Sequence, residues 1–209
     1  MRMRKRKWVT PYLETEERYL IRNTEKKGHW LTMPYTSLCL EIGMGMGDFL
    51  VGNAVRNPEI LYIGFEKDET CVAKAIRKAS EADIDNLWII NDDATKLPEY
   101  FEDKEVDVIY LQFSDPWPKK AHHKRRLTYA SFIELYEKVL KDNGEIVFKT
   151  DNQGLYEFSL VSFAESSFQL VDCSVDYHRI PRDEICTEYE SKFIAEGKPI
   201  YYARFRKRS

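Results

Sequence analysis

Glu41-Ile42-Gly43-Met44-Gly45-Met46-Gly47-Asp48-Phe49 ends one short apolar run, Ser37–Ile42, and opens an amphipathic one, Asp48–Arg56. Three glycines at a spacing of two let a backbone turn tightly and approach a ligand with no Cβ in the way. Strand, glycine turn and helix in that order form the opening unit of a crossover fold. The alternation continues outward. Ile60–Glu66, Leu87–Asn91, Val106–Phe113 and Glu145–Thr150 read as further strands. Glu69–Ala82, Tyr129–Lys141 and Leu155–Glu165 have helical composition or spacing. Gly144 stands where the cap of the Tyr129–Lys141 helix is expected. Gln169–Ser174 and Tyr201–Arg206 read as two closing strands, and the stretch between them, with Pro181 and Pro199, shows little helical pattern. Upstream, a short helix is expected around Glu16 to Ile21. The pattern predicts an α/β fold with a mostly parallel sheet and an antiparallel pair at one edge.

At 209 residues the chain suits one domain with one sizeable core. Residues 1–30 are polar and basic and read as an arm with a short helix; residues 31–209 read as the single folded domain. No apolar run approaches the roughly 20 residues of a membrane-spanning helix. The basic N-terminus has no apolar stretch after it, so it is not read as a secretory signal, and a cytoplasmic location is expected. Cys39, Cys71, Cys173 and Cys186 show no C-x-x-C spacing, and the histidines do not complete a zinc pattern. Reduced thiols and no metal are expected. Net charge is −3, yet positive charge is concentrated. Arg2, Arg4, Lys5, Arg6 and Lys7 form one cluster. Lys119, Lys120, Lys124, Arg125 and Arg126 form a second, and Arg204, Arg206, Lys207 and Arg208 a third. Phosphate binding needs local positive potential rather than a positive total, so nucleic acid is the expected partner.

Ligands of open α/β sheets bind outside the carboxyl ends of the strands. An acidic residue sits at or just past each of the first five ends: Glu41, Glu66, Asp92 with Asp93, Asp115 and Asp151. A carboxylate can accept both hydroxyls of a ribose, which suits Glu66. Asp93 can accept an adenine amino group. Glu41, beside the glycine loop, can orient a cationic amine, with Asp92 the competing choice. Asp92 and Asp93 could equally be turn or helix caps.

The glycine pattern E-x-G-x-G-x-G, with Gly43, Gly45 and Gly47, resembles the first motif of class I S-adenosylmethionine methyltransferases. A dinucleotide fingerprint would need its third glycine at Asp48, which makes a nicotinamide enzyme the least favoured reading. Ser114-Asp115-Pro116-Trp117-Pro118-Lys119 is the second signal, followed by Lys120-Ala121-His122-His123-Lys124-Arg125-Arg126-Leu127. These segments, with Phe148-Lys149-Thr150-Asp151-Asn152 and Thr187-Glu188-Tyr189-Glu190, resemble the bacterial tRNA (guanine-N(7)-)-methyltransferase family along nearly the whole chain. Met46 and Ala121 depart from it, since basic residues are common at both positions.

The resemblance implies a class I, Rossmann-like, seven-stranded sheet with helices on both faces. It implies S-adenosylmethionine contacts at Glu41, Glu66, Asp93 and Asp115, beside the loop glycines Gly43, Gly45 and Gly47. Substrate contacts are implied at Lys119, Asp151, Thr187, Glu188, Tyr189 and Glu190. An RNA-contacting stretch is implied over Ala121, His122, His123, Lys124, Arg125 and Arg126. Asp115 is the expected catalytic residue, stabilising charge on a methylated purine. Asp151 or Glu190 would read the guanine edge, and Trp117 or Tyr189 would stack on the base. The alternatives are an amino-group methyltransferase on adenine or cytosine and a non-catalytic RNA-binding protein. No obligate protein partner is expected, and the chain is read as a monomer or homodimer.

Overall fold

A computed structural model describes residues 6–30 and 34–208. Arg2, Arg4 and Lys5 of the basic arm lie outside the described residues.

Among the described residues eight strands form one sheet. In chain order the elements are α1 (Val9–Thr15), β1 (Leu20–Ile21), β2 (Ser37–Ile42), α2 (Asp48–Arg56), β3 (Ile60–Phe65), α3 (Glu69–Ala82) and β4 (Leu87–Ile90). There follow α4 (Leu97–Tyr100), β5 (Val106–Gln112), α5 (Ala130–Val139), β6 (Leu140–Thr150), α6 (Gln153–Ala164), β7 (Phe168–Ser174), α7 (Glu188–Ala195) and β8 (Tyr201–Lys207). The sheet order is β1-β4-β3-β2-β5-β6-β8-β7. Strands β1 to β6 pair in parallel, and β8 runs antiparallel between β6 and β7. The expected antiparallel pairing at one edge is present. The sequence leads to an expectation of seven strands, and the eighth is the two-residue β1.

Alternation along the central strands splits the core in two. Leu38, Leu40, Ile42, Ile109 and Leu111 pack with Phe132, Tyr136 and Phe163 of α5 and α6. Cys39, Tyr62 and Ile89 belong to the other cluster, with Leu50 and Ala54 of α2 and Val72, Ile76 and Ala79 of α3. Covered on both faces, the strands read as apolar runs, as parallel strands do. Asp68 caps α3 by accepting from Thr70 and Cys71 N–H.

Three expectations are corrected. The helix around Glu16 to Ile21 is instead α1, followed by β1. The Glu16 carboxylate accepts from Arg18 and Tyr19 N–H, which turns the chain. The Tyr19 hydroxyl then reaches the Ala79 carbonyl, and Leu20 pairs with Ile89. Gly144 is not the left-handed residue after α5; Asn143 is, at φ 62°. Gly144 is small for a different reason, because a Cβ there would lie 2.9 Å from the Lys141 carbonyl oxygen and 3.1 Å from that of Asp107. The β7–β8 connection does contain a helix, α7. It is closed by a capping box in which Thr187 Oγ1 accepts from Glu190 N–H and Glu190 reaches back to Thr187 N–H.

That connection folds back across the sheet toward α2. Ile185 packs where a Cβ on Gly52 would sit, and Arg56 donates to the Asp183 carbonyl and carboxylate at 2.9 and 3.0 Å. Among the described residues no helix is long and apolar enough to cross a membrane.

Candidate active site

The glycine loop leaves β2 in left-handed steps, with φ 74° at Gly43, 56° at Gly45 and 77° at Gly47. Gly43 N–H donates to the Phe65 carbonyl at 2.8 Å, which ties the loop to β3. A Cβ at Gly45 would meet nothing within 4 Å, so this turn opens onto free space. The space is a cleft of about 1000 Å³ at the carboxyl end of the sheet. It gathers Gly43, Gly45, Glu66, Asp93, Asp115 and Tyr189 from separate segments of the chain, and Trp117 and Arg125 stand at its wall.

Glu66 accepts from Gly45 N–H at 3.1 Å and from Asp68 N–H at 2.8 Å, so it is preoriented in the cleft. Burial pushes its carboxyl up, and those backbone hydrogen bonds reverse only part of the rise. Glu41 lies behind the loop and is 2% exposed. Its Oε2 has no hydrogen-bond partner, and burial, with Glu66 and Asp48 nearby, holds the carboxyl well above the usual range. Gly47 also lies behind the cleft, against Ala75. Asp92 also lines the cleft, with its carboxylate already accepting from Lys96 Nζ and the Tyr100 hydroxyl, both at 3.0 Å, and from Asp93 N–H at 2.8 Å. Asp93 caps the turn Ala94–Lys96 through Oδ1 and still lines the cleft.

Asp115 lines the cleft between two bulky residues in left-handed conformation, Phe113 at φ 50° and Trp117 at φ 40°. Such conformations persist only where the surroundings impose them. At Trp117 it is Arg126 that does so. Its Nε donates to the Pro116 carbonyl at 2.8 Å and its Nη2 to that of Trp117 at 3.3 Å, over the Phe158 ring. Arg126 is buried, and burial lowers its pKa. The expectation that it contacts RNA is therefore replaced by a role as clamp of the Asp115 turn. The neighbouring Arg125 is exposed over the Trp117 ring, 4.9 Å from its centre.

Lys119, Lys120, Ala121 and Lys124 are exposed around the 3₁₀ helix Lys120–Arg125. His122 and His123 are half-buried, packed edgewise on Trp117 and Phe158. Asp151 is exposed just past β6. The Thr187–Glu190 block divides. Tyr189 faces the cleft, Glu188 is exposed and Thr187 caps α7. Glu190 is wholly buried, holding Lys149 Nζ at 3.0 Å and His178 Nε2 at 2.7 Å. The donor atoms of His178, Cys186 and Glu190 come within 4.8 Å of one another, and the cation beside them is the Lys149 ammonium. Lys149, His178 and Glu184 form a polar network around Glu190 and Tyr177 that sequence reasoning misses. The polar Lys149 inside the apolar strand 145–150 is the signal that could have found them.

The chain is similar to known proteins in both sequence and fold. Residues 35–203 match the family described as "Putative methyltransferase". The chain is 42% identical over 206 residues to the tRNA (guanine-N(7)-)-methyltransferase of Oceanobacillus iheyensis, covering 96% of both. It is 45% identical over 206 residues to the enzyme of that name from Limosilactobacillus reuteri, covering 96% of this chain and 97% of that one. The chain belongs to the tRNA (guanine-N(7)-)-methyltransferase family. Among solved structures it is similar to the 16S rRNA methyltransferase KamB, with a TM-score of 0.71 at 14% identity over 93% of this chain and all of that one. That likeness concerns the fold, which is the class I methyltransferase sheet.

Proposed function

We propose that this chain transfers the methyl group of S-adenosylmethionine to N(7) of a guanine in tRNA. The observation that carries the reading is the near full-length identity to relatives of that name. The cleft suits the group it must hold. Glu66 is preoriented for a ribose, Asp93 for an adenine amine, and Glu41 has an unpartnered buried oxygen for an ammonium. When bound, S-adenosylmethionine supplies an electrophilic methyl on a cationic sulfur.

The chain's residues have little proton chemistry to perform. Guanine N(7) carries a free lone pair, so no side chain needs to act as a base. Alignment and stabilisation of charge are the main tasks. The Asp115 carboxylate, held by a strained turn, opposes the positive charge that develops on the purine. Tyr189 and Trp117 offer flat surfaces for stacking, and Asp151 can accept both donors of the guanine edge. Exposed Lys119, Lys120, Lys124 and Arg125 hold phosphates near the cleft. Residues 31–209 carry this chemistry. In residues 1–30 the segment from Trp8 packs against the core, so a gripping arm is confined to the residues before it. The expected target is the variable-loop guanine, and the chain acts in the cytoplasm as a monomer or homodimer.

The test is methyl transfer from labelled S-adenosylmethionine to unmodified tRNA transcripts, followed by borohydride–aniline cleavage at 7-methylguanosine. A single cut at a variable-loop guanine is expected. Incorporation without a cut would move the chemistry to another atom and favour an amino-group methyltransferase.

A further inference from the structure

Lys149 carries a charge into the protein interior, where it is 2% exposed. Its ammonium donates to Glu184 Oε2 at 2.9 Å and Glu190 Oε1 at 3.0 Å, and lies 4.4 Å from the centre of the Tyr177 ring. Glu184 in turn accepts from the Tyr177 hydroxyl. Glu190 is fully occupied. Its Oε1 takes Lys149 and His178, and its Oε2 takes Thr187 N–H at 3.4 Å within the capping box. To read a base edge this carboxylate would have to give up its bonds to Lys149, His178 and Thr187 N–H, leaving the buried ammonium with Glu184 alone, which is unfavourable.

The backbone of Lys149 serves the opposite wall. Its carbonyl accepts from Phe113 N–H at 2.9 Å. Phe113 is the left-handed residue from which the Asp115 turn departs. One residue of β6 thus holds two segments. Its main chain fixes the start of the wall that carries Asp115, and its side chain fixes the cap of α7, which carries Tyr189 into the cleft. A buried ion pair adds little net stability over an apolar pair of the same size, but its directional bonds define one arrangement.

We propose that Lys149 is a positioning residue that sets the two walls of the cleft against each other through Glu190, and that Tyr189, not Glu190, is the member of its block that meets the substrate. The proposal rests on reading the cleft as the methyl-transfer site.

The experiment uses full-length Lys149→Met and Glu190→Gln. Three readouts are taken: S-adenosylmethionine affinity by calorimetry, amide hydrogen exchange over residues 176–198, and kcat and KM on tRNA transcripts carrying guanosine or inosine at the target. Inosine lacks only the exocyclic amine. Lys149→Met should keep cofactor affinity within about threefold, while exchange over 176–198 rises about tenfold or more. Its kcat/KM on tRNA should fall about tenfold or more, with kcat carrying part of the loss. Glu190→Gln still accepts through its amide oxygen, so its preference for guanosine over inosine should match the wild type. A collapse of that preference in Glu190→Gln would show that Glu190 reads the base and would overturn the proposal. Unchanged exchange and kinetics in Lys149→Met would overturn it as well. Should Lys149→Met lose its fold, seen as lost cofactor binding, Glu190→Gln decides alone. If the wild type methylates no N(7), the functional reading fails, and the exchange data still judge the anchor separately.

Discussion

Glu41 ends up buried with one oxygen unpartnered, and Glu66 and Asp48 add negative charge beside it. A carboxyl raised this way favours the fold while neutral, and that contribution is lost as pH climbs through its raised value. Binding an ammonium has the opposite sign, because it favours the ionised form. S-adenosylmethionine affinity should therefore strengthen with pH until Glu41 is ionised in the free protein, with proton release on binding below that point. Glu41→Gln should abolish the proton release, weaken the cofactor about tenfold or more, and raise the melting temperature of the free protein at alkaline pH. Calorimetry in buffers of different ionisation enthalpy, with thermal melts across pH, reads all three. Proton release that survives in the variant would remove Glu41 from this role. Glu66, Asp93 and Asp115 are legible in the sequence because strand ends mark where ligands bind. Arg126 is not, since a run of basic residues does not reveal which one turns inward to hold carbonyls.

At the scale of elements, β2, α2 and α3 have the bounds their apolar patterns suggest, because each carries enough of the core to define itself. Elements α1 and β1 do not, since a seven-residue helix and a two-residue strand are held by contacts with α3 and β4 rather than by their own periodicity. The T-x-x-E capping box at Thr187 is present in the sequence, where the same four residues also read as a substrate block. The glycine loop illustrates how an element and a site share residues. A Cβ at Gly47 would lie 2.7 Å from Ala75 Cβ, at a φ of 77°. Gly47→Ala should therefore lose roughly 2–4 kcal/mol of stability, from left-handed strain and from overpacking between the loop and α3. Gly45→Ala has open space around it and should lose only about 1 kcal/mol, the conformational term. Its Cβ would instead project at the cofactor. Chemical denaturation and cofactor titration should therefore separate the two, with Gly47→Ala the weaker fold and Gly45→Ala a near-normal fold with impaired binding. Equal stability losses would contradict the packing argument.

For the whole molecule, three basic clusters look equivalent in a chain of net charge −3, and the fold separates the second from the third. Arg204 and Arg206 lie on β8, opposite Val147 and Glu145 of β6. Because β8 runs antiparallel, they sit toward the end of the sheet away from the cleft. Both reach Glu145, Arg206 at 2.7 Å and Arg204 at 3.7 Å, and Lys207 donates to the carbonyls of Glu137 and Leu140. Lys120, Lys124 and Arg125 stay exposed on the segment that rims the cleft. Topology decides which positive charge can meet a polyanion at the site, and composition cannot. Removing one cation from a bound phosphate should reduce the slope of log affinity against log salt by about 1. Lys124→Ala with Arg125→Ala should flatten the tRNA slope by up to about 2 and leave cofactor affinity unchanged. Arg204→Ala with Arg206→Ala should leave the slope alone. Arg126→Met should behave as neither, with the slope kept and kcat reduced because the turn under Asp115 loosens. Filter binding from low to moderate salt, beside single-turnover kinetics, distinguishes the three. A flattened slope in Arg126→Met would return that residue to the phosphate track, and a flattened slope in the β8 pair would extend the tRNA footprint to the far end of the sheet.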